Sequence, residues 1–483
     1  MTAEKNDLLK LSIYDLCQDQ AELGYLFSDY QTKWHKLAAL YPKIKNNPNP
    51  LSLLSDKLTR DIKAQIRYFG RLIEKANWNT ASDLDSLTNL KREIKNQLRY
   101  YSRLPAALAS AVNWQSPTFA ASFSPQAGFF ANRIEAGISD YTRDNARYVM
   151  DWEIAYRNQY IGQIKSLPAV CYATSSGMAA FTTILMYLLL EHKLTGQVIV
   201  GRSVYFETKE LLKKHLGKRV IEISENDLKS LENNLKGNTV SAVFLDTIGN
   251  TPQMLCPDLT KIAPLVRRYL KNGTLVIDNT VTSISLNLMR HFPPLFTKNS
   301  VIAYESLNKF HQYGLDQELG GVIWAYGKGV QKLFDYRGHL GTILPDKTAL
   351  SLPTPNRKQL RSRITRIFRN AGNLASFLSN QLDSSRIYHG ITYPTGPFLM
   401  LDLPLRLRTK SKLLKLTDRI IKTAKKAKVT IHAGTSFGLD TTRVYPTALM
   451  SSEMKPFFRI APGTETASEI NKIKYCLLEA LTN

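Results

Sequence analysis

Residues 241–278 read SAVFLDTIGNTPQMLCPDLTKIAPLVRRYLKNGTLVID, and this stretch decides the fold. SAVFLD (241–246) and GTLVID (273–278) are short apolar runs that each end in an acid, the texture of buried strands. Between them LTKIAPLVRRYLKNG repeats apolar residues at helical spacing and ends at Gly273. Strand, helix and strand in that order form a crossover, and such crossovers imply a parallel-rich sheet with helices on both faces. Outward from this unit, QVIVG (197–201), SVIAYE (300–305) and GVIWAY (321–326) read as further buried strands. The expected fold class is therefore α/β, with a large domain on a mostly parallel sheet.

The flanks have different textures. From residue 5 to about 115 the chain reads as helices: Leu58, Ile62, Ile66 and Phe69 fall on one stripe, and Leu87, Leu90, Ile94 and Leu98 on another, with Ser82 as N-cap of the second. KNNPNP is a loop. After about residue 350 come a long basic helix, PFLMLD, a second basic helix, VTIHA, FFRIAP and a terminal amphipathic helix, the pattern of a smaller α/β domain. SLPTPN (351–356) marks the expected boundary. The expected organisation is a helical extension over 1–115, a large domain over 116–350 and a small domain over 351–483.

Apolar residues make up 43% of the chain and charged residues 22%, which excludes a chain disordered throughout. The four cysteines, none within CxxC reach of another, give no disulfide scaffold and no thiolate zinc site. The histidines are scattered without metal spacing, so no metal is expected. MTAEKNDLLK has early acids and no apolar core, unlike a secretory signal. The apolar run Met178–Leu190 is too short to cross a bilayer and is interrupted by Thr182 and Thr183. These features lead to the expectation of a soluble, cytoplasmic protein with no membrane partner.

The formal net charge of +24 is concentrated in Arg357–Arg369 and Arg406–Lys428, where Asp418 is the only acid. Leu360, Ile364 and Ile367 in the first, and Leu413, Leu416, Ile420 and Ala424 in the second, have helical spacing. The expected reading is two amphipathic helices with solvated basic outer faces. The alternative, an electrostatic footprint for nucleic acid, lacks interleaved aromatics and any zinc-finger or helix-turn-helix signature; nucleic acid is not an expected partner.

Three features carry chemistry. Ser175-Ser176-Gly177 opens directly into an apolar helix, so free N–H groups at the helix start face whatever approaches the turn. It is either a phosphate-binding turn or an ordinary cap. Asp278 ends a buried strand, where α/β enzymes place reactive groups; it either holds a pyridinium nitrogen protonated or caps the next turn. Lys309 lies between two strand-like runs, so its loop belongs at a sheet edge, and an amine there could form a Schiff base. A lone lysine after a strand is otherwise simply solvated.

In order and spacing, 102 residues from Ser176 to Asp278 and 31 to Lys309, the three resemble the cystathionine γ-synthase group of fold-type I pyridoxal-phosphate enzymes, the Cys/Met-metabolism family. The likeness runs from about residue 138 to the C-terminus. Ser-Gly-Met-Ala-Ala is intact at 176–180 and Asp-Asn-Thr at 278–280. Ser-x-Thr-Lys appears as Ser306-Leu307-Asn308-Lys309, with the threonine replaced, and the Asp of Gly-His-Ser-Asp as Asp316. Tyr-Gly-Gly-Thr becomes Tyr205-Phe206-Glu207-Thr208, and Asp246-Thr247-Ile248-Gly249-Asn250-Thr251 resembles Glu-Thr-Pro-x-Asn-Pro. Tyr141-Thr142-Arg143 resembles Tyr-Ser-Arg, and Trp152-Glu153 falls where Leu-Glu is usual. Ser436-Phe437-Gly438 resembles Ser-Leu-Gly, and residues 458–465 the closing Val-Arg-Leu-Ser-Val-Gly-x-Glu.

The resemblance implies pyridoxal 5'-phosphate as cofactor, an amino acid as substrate, and β- or γ-elimination or replacement as the reaction. Transamination on the same fold and a non-catalytic binding protein are the alternatives. It implies a fold-type I large domain followed by the smaller domain. Lys309 and Tyr205 are the implied catalytic residues: Lys309 would bind the cofactor and shuttle protons, and Tyr205 would stack on its ring. Asp278 would hold the ring nitrogen, Asn250 the ring hydroxyl, and Ser176, Gly177, Met178 and Ser306 the phosphate. Arg459 and Ser436 would clamp the substrate carboxylate. Tyr141 and Arg143 would reach the phosphate of a neighbouring subunit, implying a homodimer or homotetramer with shared sites. Phe206 and Glu207 replace small glycines, and Tyr313 replaces another just after the lysine loop. Glu207 either faces the distal end of the substrate or points outward from a helix start.

Overall fold

The computed structural model describes residues 3–40, 50–75, 81–112, 146–162, 169–237, 239–292, 299–388, 396–449 and 456–482. Four helices open the chain: α1 (Ala3–Leu40), α2 (Pro50–Lys75), α3 (Ala81–Tyr101) and α4 (Leu104–Val112). The expected stripes are real. Ile62 and Phe69 of α2 and Leu87, Ile94 and Leu98 of α3 are all buried and join one apolar core with α1. Ser82 lies within the first turn of α3 rather than capping it.

The main sheet has seven strands: β1 (Val170–Thr174), β2 (Gln197–Gly201), β3 (Val220–Ile223), β4 (Val240–Asp246), β5 (Thr274–Asp278), β6 (Ser300–Ser306) and β7 (Gly321–Tyr326). Their order is β1-β7-β6-β5-β4-β2-β3. Strands β2 to β6 pair in parallel. β7 runs antiparallel between β1 and β6, a detail an apolar run does not reveal because it reads alike in both directions. The whole of β4 is buried, as a strand covered on both faces must be. The helices Gly177–Leu190 and Leu259–Tyr269 belong to the two separate apolar cores that cover its faces.

A second sheet holds β8 (Ile387–Tyr388), β9 (Leu399–Leu401), β10 (Ile431–Ala433), β11 (Thr442–Thr447) and β12 (Phe457–Ala461), in the order β10-β11-β12-β9-β8. The helices Arg357–Gln381, Lys410–Lys426 and Ala467–Thr482 pack on it through Leu374, Leu378, Leu413, Ile420, Ile470 and Leu477.

One expectation about charge is corrected. The helix Arg357–Gln381 has no solvated basic face along Arg363 and Arg366, which are 2% and 3% exposed. Arg357, Lys358 and Arg361 are exposed, as expected, but Arg363, Arg366 and Arg369 meet an acidic stripe on α1. Arg363 bonds Glu22 at 2.9 Å, Arg366 bonds Asp19 at 2.9 Å, and Arg369 bonds Asp15 at 2.8 Å. Asp15, Asp19 and Glu22 recur every three to four residues, as do the arginines, so both sets lie on one helical face. Lys95 of α3 adds a 2.6 Å bond to Glu22. Buried charges survive only with such partners, and losing one partner typically costs about 3–5 kcal/mol. The other basic helix, Lys410–Lys426, does expose Lys410, Lys412, Lys415, Lys422, Lys425 and Lys426.

The segment 351–354 is tied to α1 as well. Tyr30 donates to the Ser351 carbonyl at 2.7 Å, Lys33 to the Leu352 carbonyl at 2.6 Å, and the Thr354 N–H to Asp29 at 3.0 Å.

Candidate active site

The ends of β4, β5 and β6, the start of the helix Gly177–Leu190 and the loops of the second sheet bring most of the expected residues together. The helix starts because Ser176 is extended (φ −164°, ψ 169°) and its Oγ accepts the Ala179 N–H at 3.0 Å. The N–H groups of Gly177 and Met178 find no acceptor among the described residues. Ser306, the last residue of β6, packs against this turn so closely that a Cβ on Gly177 would lie 2.9 Å from the Ser306 Cβ. Glycine is required there by contact. The result is an uncapped pair of amides beside a serine hydroxyl, a cradle for a phosphate.

Asp278 ends β5 level with Asp246 and Tyr304 on the neighbouring strands. Its carboxylate accepts the Thr280 N–H at 2.8 Å. Burial raises its pKa, while the Thr280 hydroxyl and amide and the Tyr304 hydroxyl pull the other way. Among the described residues Asp246 accepts only the Tyr205 N–H, at 2.9 Å, and its other oxygen has no partner. Burial, and then the Asp278 charge, push Asp246 well above the usual carboxylate range. Two buried carboxyls side by side do not both ionise. Of the two, Asp278 has more donors to stabilise its charged form, and Asp246 is pushed further toward the neutral one.

Lys309 follows β6, a central strand, so its loop stands at the end of the sheet rather than on a side edge. Its Nζ is 3.3 Å from Ser436 Oγ and 5.5 Å from the centroid of the Phe437 ring. Burial and the charge of Arg459 lower its pKa, against the opposing pull of Asp316 and Asp278. Asn308, where the motif has threonine, bridges the Glu318 carbonyl (2.9 Å) and the Gly320 N–H (3.2 Å) and so closes the loop at its base. Tyr313, where the motif has glycine, has φ 51°, the left-handed backbone that explains a glycine there.

Arg459 lies on β12, 8% exposed. Its Nη1 donates to Asn250 Oδ1 at 3.2 Å, and the guanidinium lies over the Phe398 ring. Among the described residues it has no carboxylate partner, and burial brings its pKa down to about 10. Tyr205 precedes the helix Phe206–Leu216. Burial, then the neighbouring Glu207 carboxylate, push its hydroxyl up to about 12, and Arg459 acts in the opposite direction. Glu207 is half-buried with its carboxylate near the Tyr205 hydroxyl, while Phe206 is 54% exposed. Met178 is half-buried against the apolar core of its helix. Tyr141 and Arg143 lie outside the described residues.

Other motif residues are structural. Glu153 accepts the Ala173 N–H at 2.7 Å and pairs with the buried Arg337. Glu465 accepts the Gly463 N–H at 2.7 Å and bonds Thr442. Asn279 turns away from the site to Glu305 at 2.7 Å. Sequence reasoning missed Thr280, whose Oγ1 accepts the Ser306 N–H at 3.0 Å, and Tyr304, which reaches Asp278. Thr280 was inside a matched motif. Tyr304 was hidden in an apolar run.

A carboxylate, an amine and a guanidinium thus converge, half-buried or buried, and none of them has a salt-bridge partner among the described residues. With the amide cradle, they fit one group that carries a phosphate, a protonatable ring nitrogen and a carbonyl, together with an amino acid's carboxylate. Such a set defines the pyridoxal-phosphate class of site.

Residues 115–396 match the Cys/Met metabolism PLP-dependent enzyme family. The chain belongs to that family, and its cofactor is pyridoxal phosphate. It is 28% identical over 306 residues to the bifunctional enzyme flvA of Aspergillus flavus, covering 60% of this chain and 37% of that protein. It is 27% identical over 222 residues to cystathionine gamma-lyase of Bacillus subtilis, covering 45% of this chain and 54% of that one. It is 27% identical over 215 residues to cystathionine beta-lyase of Schizosaccharomyces pombe, covering 44% and 51%. The matches thus span from about a third to about half of these relatives' lengths. Among solved structures, cystathionine gamma-lyase from Lactobacillus plantarum complexed with L-serine superposes with a TM-score of 0.57 at 16% identity, over 76% of this chain and 93% of that one. MetB from Corynebacterium glutamicum gives 0.56 at 18% identity, over 76% and 92%. These two likenesses speak for the fold.

Proposed function

We propose that the protein is a pyridoxal-phosphate-dependent enzyme that eliminates or replaces a group at Cβ or Cγ of an amino acid. The observation that carries this reading is the convergence of Lys309, Asp278 and Arg459, each buried or half-buried and none engaged in a salt bridge among the described residues. Pyridoxal phosphate, when bound, supplies an electron sink for the pair left when the Cα proton departs. Ser176, Gly177, Met178 and Ser306 would hold its phosphate. Asp278 would favour a proton on the ring nitrogen, a task for which its ionised form is suited and which its donors Thr280 and Tyr304 support. Asn250 would hold the ring hydroxyl, and Tyr205 would lie against the ring.

The chain's own residues then position the substrate and move its protons. Arg459, with Ser436, clamps the carboxylate, which fixes Cα within reach of Lys309 Nζ. The lowered pKa of Lys309 favours the neutral amine, the form that can take the Cα proton and return one further along the chain. Glu207, beside the Tyr205 hydroxyl, faces the distal end of the substrate and favours a cationic or hydrogen-bond-donating group there.

Tyr141 and Arg143 complete the site of a neighbouring subunit, so the working unit is at least a homodimer, and the protein works in the cytoplasm. Residues 1–115, 116–350 and 351–483 are the helical extension, large domain and small domain. A screen of amino acids for keto acid, ammonia or replacement product tests the reading. Turnover with loss of a β or γ substituent supports it; a bound cofactor that only exchanges amino groups with keto acids makes the enzyme a transaminase instead.

A further inference from the structure

The loop that carries Lys309 is held from outside the catalytic sheets. Beyond the lysine the backbone is left-handed at Tyr313 (φ 51°), Gly314 (φ 77°) and Asp316 (φ 50°). Side chains disfavour this conformation, so Tyr313 and Asp316 need neighbours that impose it. The N-terminal helices supply them. Arg99 of α3 donates from Nη2 to the Gly314 carbonyl at 2.9 Å and from Nε to the Leu315 carbonyl at 3.1 Å. Gln317 Nε2 donates to the Arg99 carbonyl at 2.9 Å, and Ser102 Oγ to Gln317 Oε1 at 2.7 Å. The Tyr25 ring of α1 packs on Tyr313 with centroids 5.4 Å apart.

The partner of the lysine is anchored to the same helices. Arg363 donates to the Gly438 carbonyl at 3.0 Å and to Asp440 at 2.8 Å, and is itself held by Glu22 of α1. Gly438 (φ 80°) passes so near the lysine that a Cβ on it would lie 2.7 Å from the Lys309 carbonyl carbon. Both sides of the Lys309–Ser436 contact are therefore fastened to the N-terminal extension.

We propose that Arg99 is a positioning residue for the lysine-dependent reaction. Its guanidinium fork spans two successive carbonyls, a task suited to arginine's rigid donors, and fixes the left-handed turn that sets Lys309 Nζ against Ser436 Oγ. The inference rests on Lys309 being the reactive amine.

The test uses full-length Arg99→Ala and Arg99→Lys, with Gln317→Ala as a milder variant should Arg99→Ala fail to fold. Amide hydrogen exchange of 312–317 is followed in the cofactor-free protein, together with the pH midpoint for covalent labelling of the Lys309 amine by mass spectrometry. Steady-state kinetics follow on the loaded enzyme. Exchange in the loop should quicken at least about tenfold in Arg99→Ala, the labelling midpoint should move, and kcat should fall about tenfold with KM little changed. Arg99→Lys, able to reach one carbonyl, should fall between. A lower melting temperature with unchanged loop exchange and an unchanged labelling midpoint would overturn the proposal, leaving Arg99 a structural residue only. Quickened exchange and a shifted midpoint in a protein that turns over no amino acid would uphold the positioning and reject the proposed function.

Discussion

The amine of Lys309 stands 3.3 Å from the hydroxyl of Ser436, although the two lie 127 positions apart and on loops of different sheets. Arg459, on the second sheet, reaches back to Asn250 beyond β4 of the first. The site is thus a seam between the two sheets: in the proposed function the first would supply the groups for the ring and phosphate, the second the clamp for a carboxylate.

The seam bears on how readily the lysine loses its proton. Burial and Arg459 lower the Lys309 pKa, so its neutral, reactive form is reached at lower pH than for an exposed lysine. Labelling of Lys309 in the cofactor-free protein should have its midpoint below that of surface lysines. In Arg459→Leu one lowering cause is gone, and the midpoint should move up. An unchanged midpoint would show that Arg459 does not act on the amine.

The ion network under α1 makes a prediction about acid stability. Burial would raise the Asp440 carboxyl, but Lys95 and Arg363 outweigh it and hold it far below the ordinary range; Glu22 is lowered against burial by Arg363 and Lys95. A carboxyl with a depressed folded pKa stabilises the fold above its unfolded pKa of about 4 and loses that contribution as pH falls below it. Melting temperature should therefore drop steeply below about pH 4. Arg363→Met, which removes one of the two cations that Glu22 and Asp440 share and leaves Lys95, should cost up to about 3–5 kcal/mol at neutral pH. Thermal melts across pH check both.

Legibility followed the range of the interactions. Strand ends, the Ser176 turn and the order of Asp278 and Lys309 were readable because apolar runs and motifs are local. The fate of Arg363 and Arg366 was not, because their acids lie 341 and 347 residues away in sequence. A basic helix whose partners are that distant looks solvated. Glu153 and Glu465 show the opposite difficulty: motif spacing marks them, but only contacts reveal that they brace backbone instead of touching the site.

Glu207 should govern preference more than rate. Its carboxylate lies near the Tyr205 hydroxyl in the first turn of the helix Phe206–Leu216. Glu207→Gly should shift the ranking of a panel of amino acids away from cationic or donor-bearing side chains, while kcat for the best substrate changes by less than about tenfold. A panel ranked as before would place Glu207 outside substrate contact.

Mixing inactive subunits tests the shared site. If Arg143 serves a neighbour's phosphate, mixed dimers of Arg143→Ala and Lys309→Ala contain one site with both residues intact, and up to about a quarter of wild-type activity should return in an equal mixture. Sites complete within each chain would give no recovery.

The most direct test of the central claim is chemical. Borohydride reduction of the loaded enzyme, digestion and mass spectrometry should find the reduced cofactor on Lys309, and Lys309→Ala should lose both the adduct and turnover. An adduct on another lysine, such as Lys328, with Lys309→Ala still active, would contradict the account.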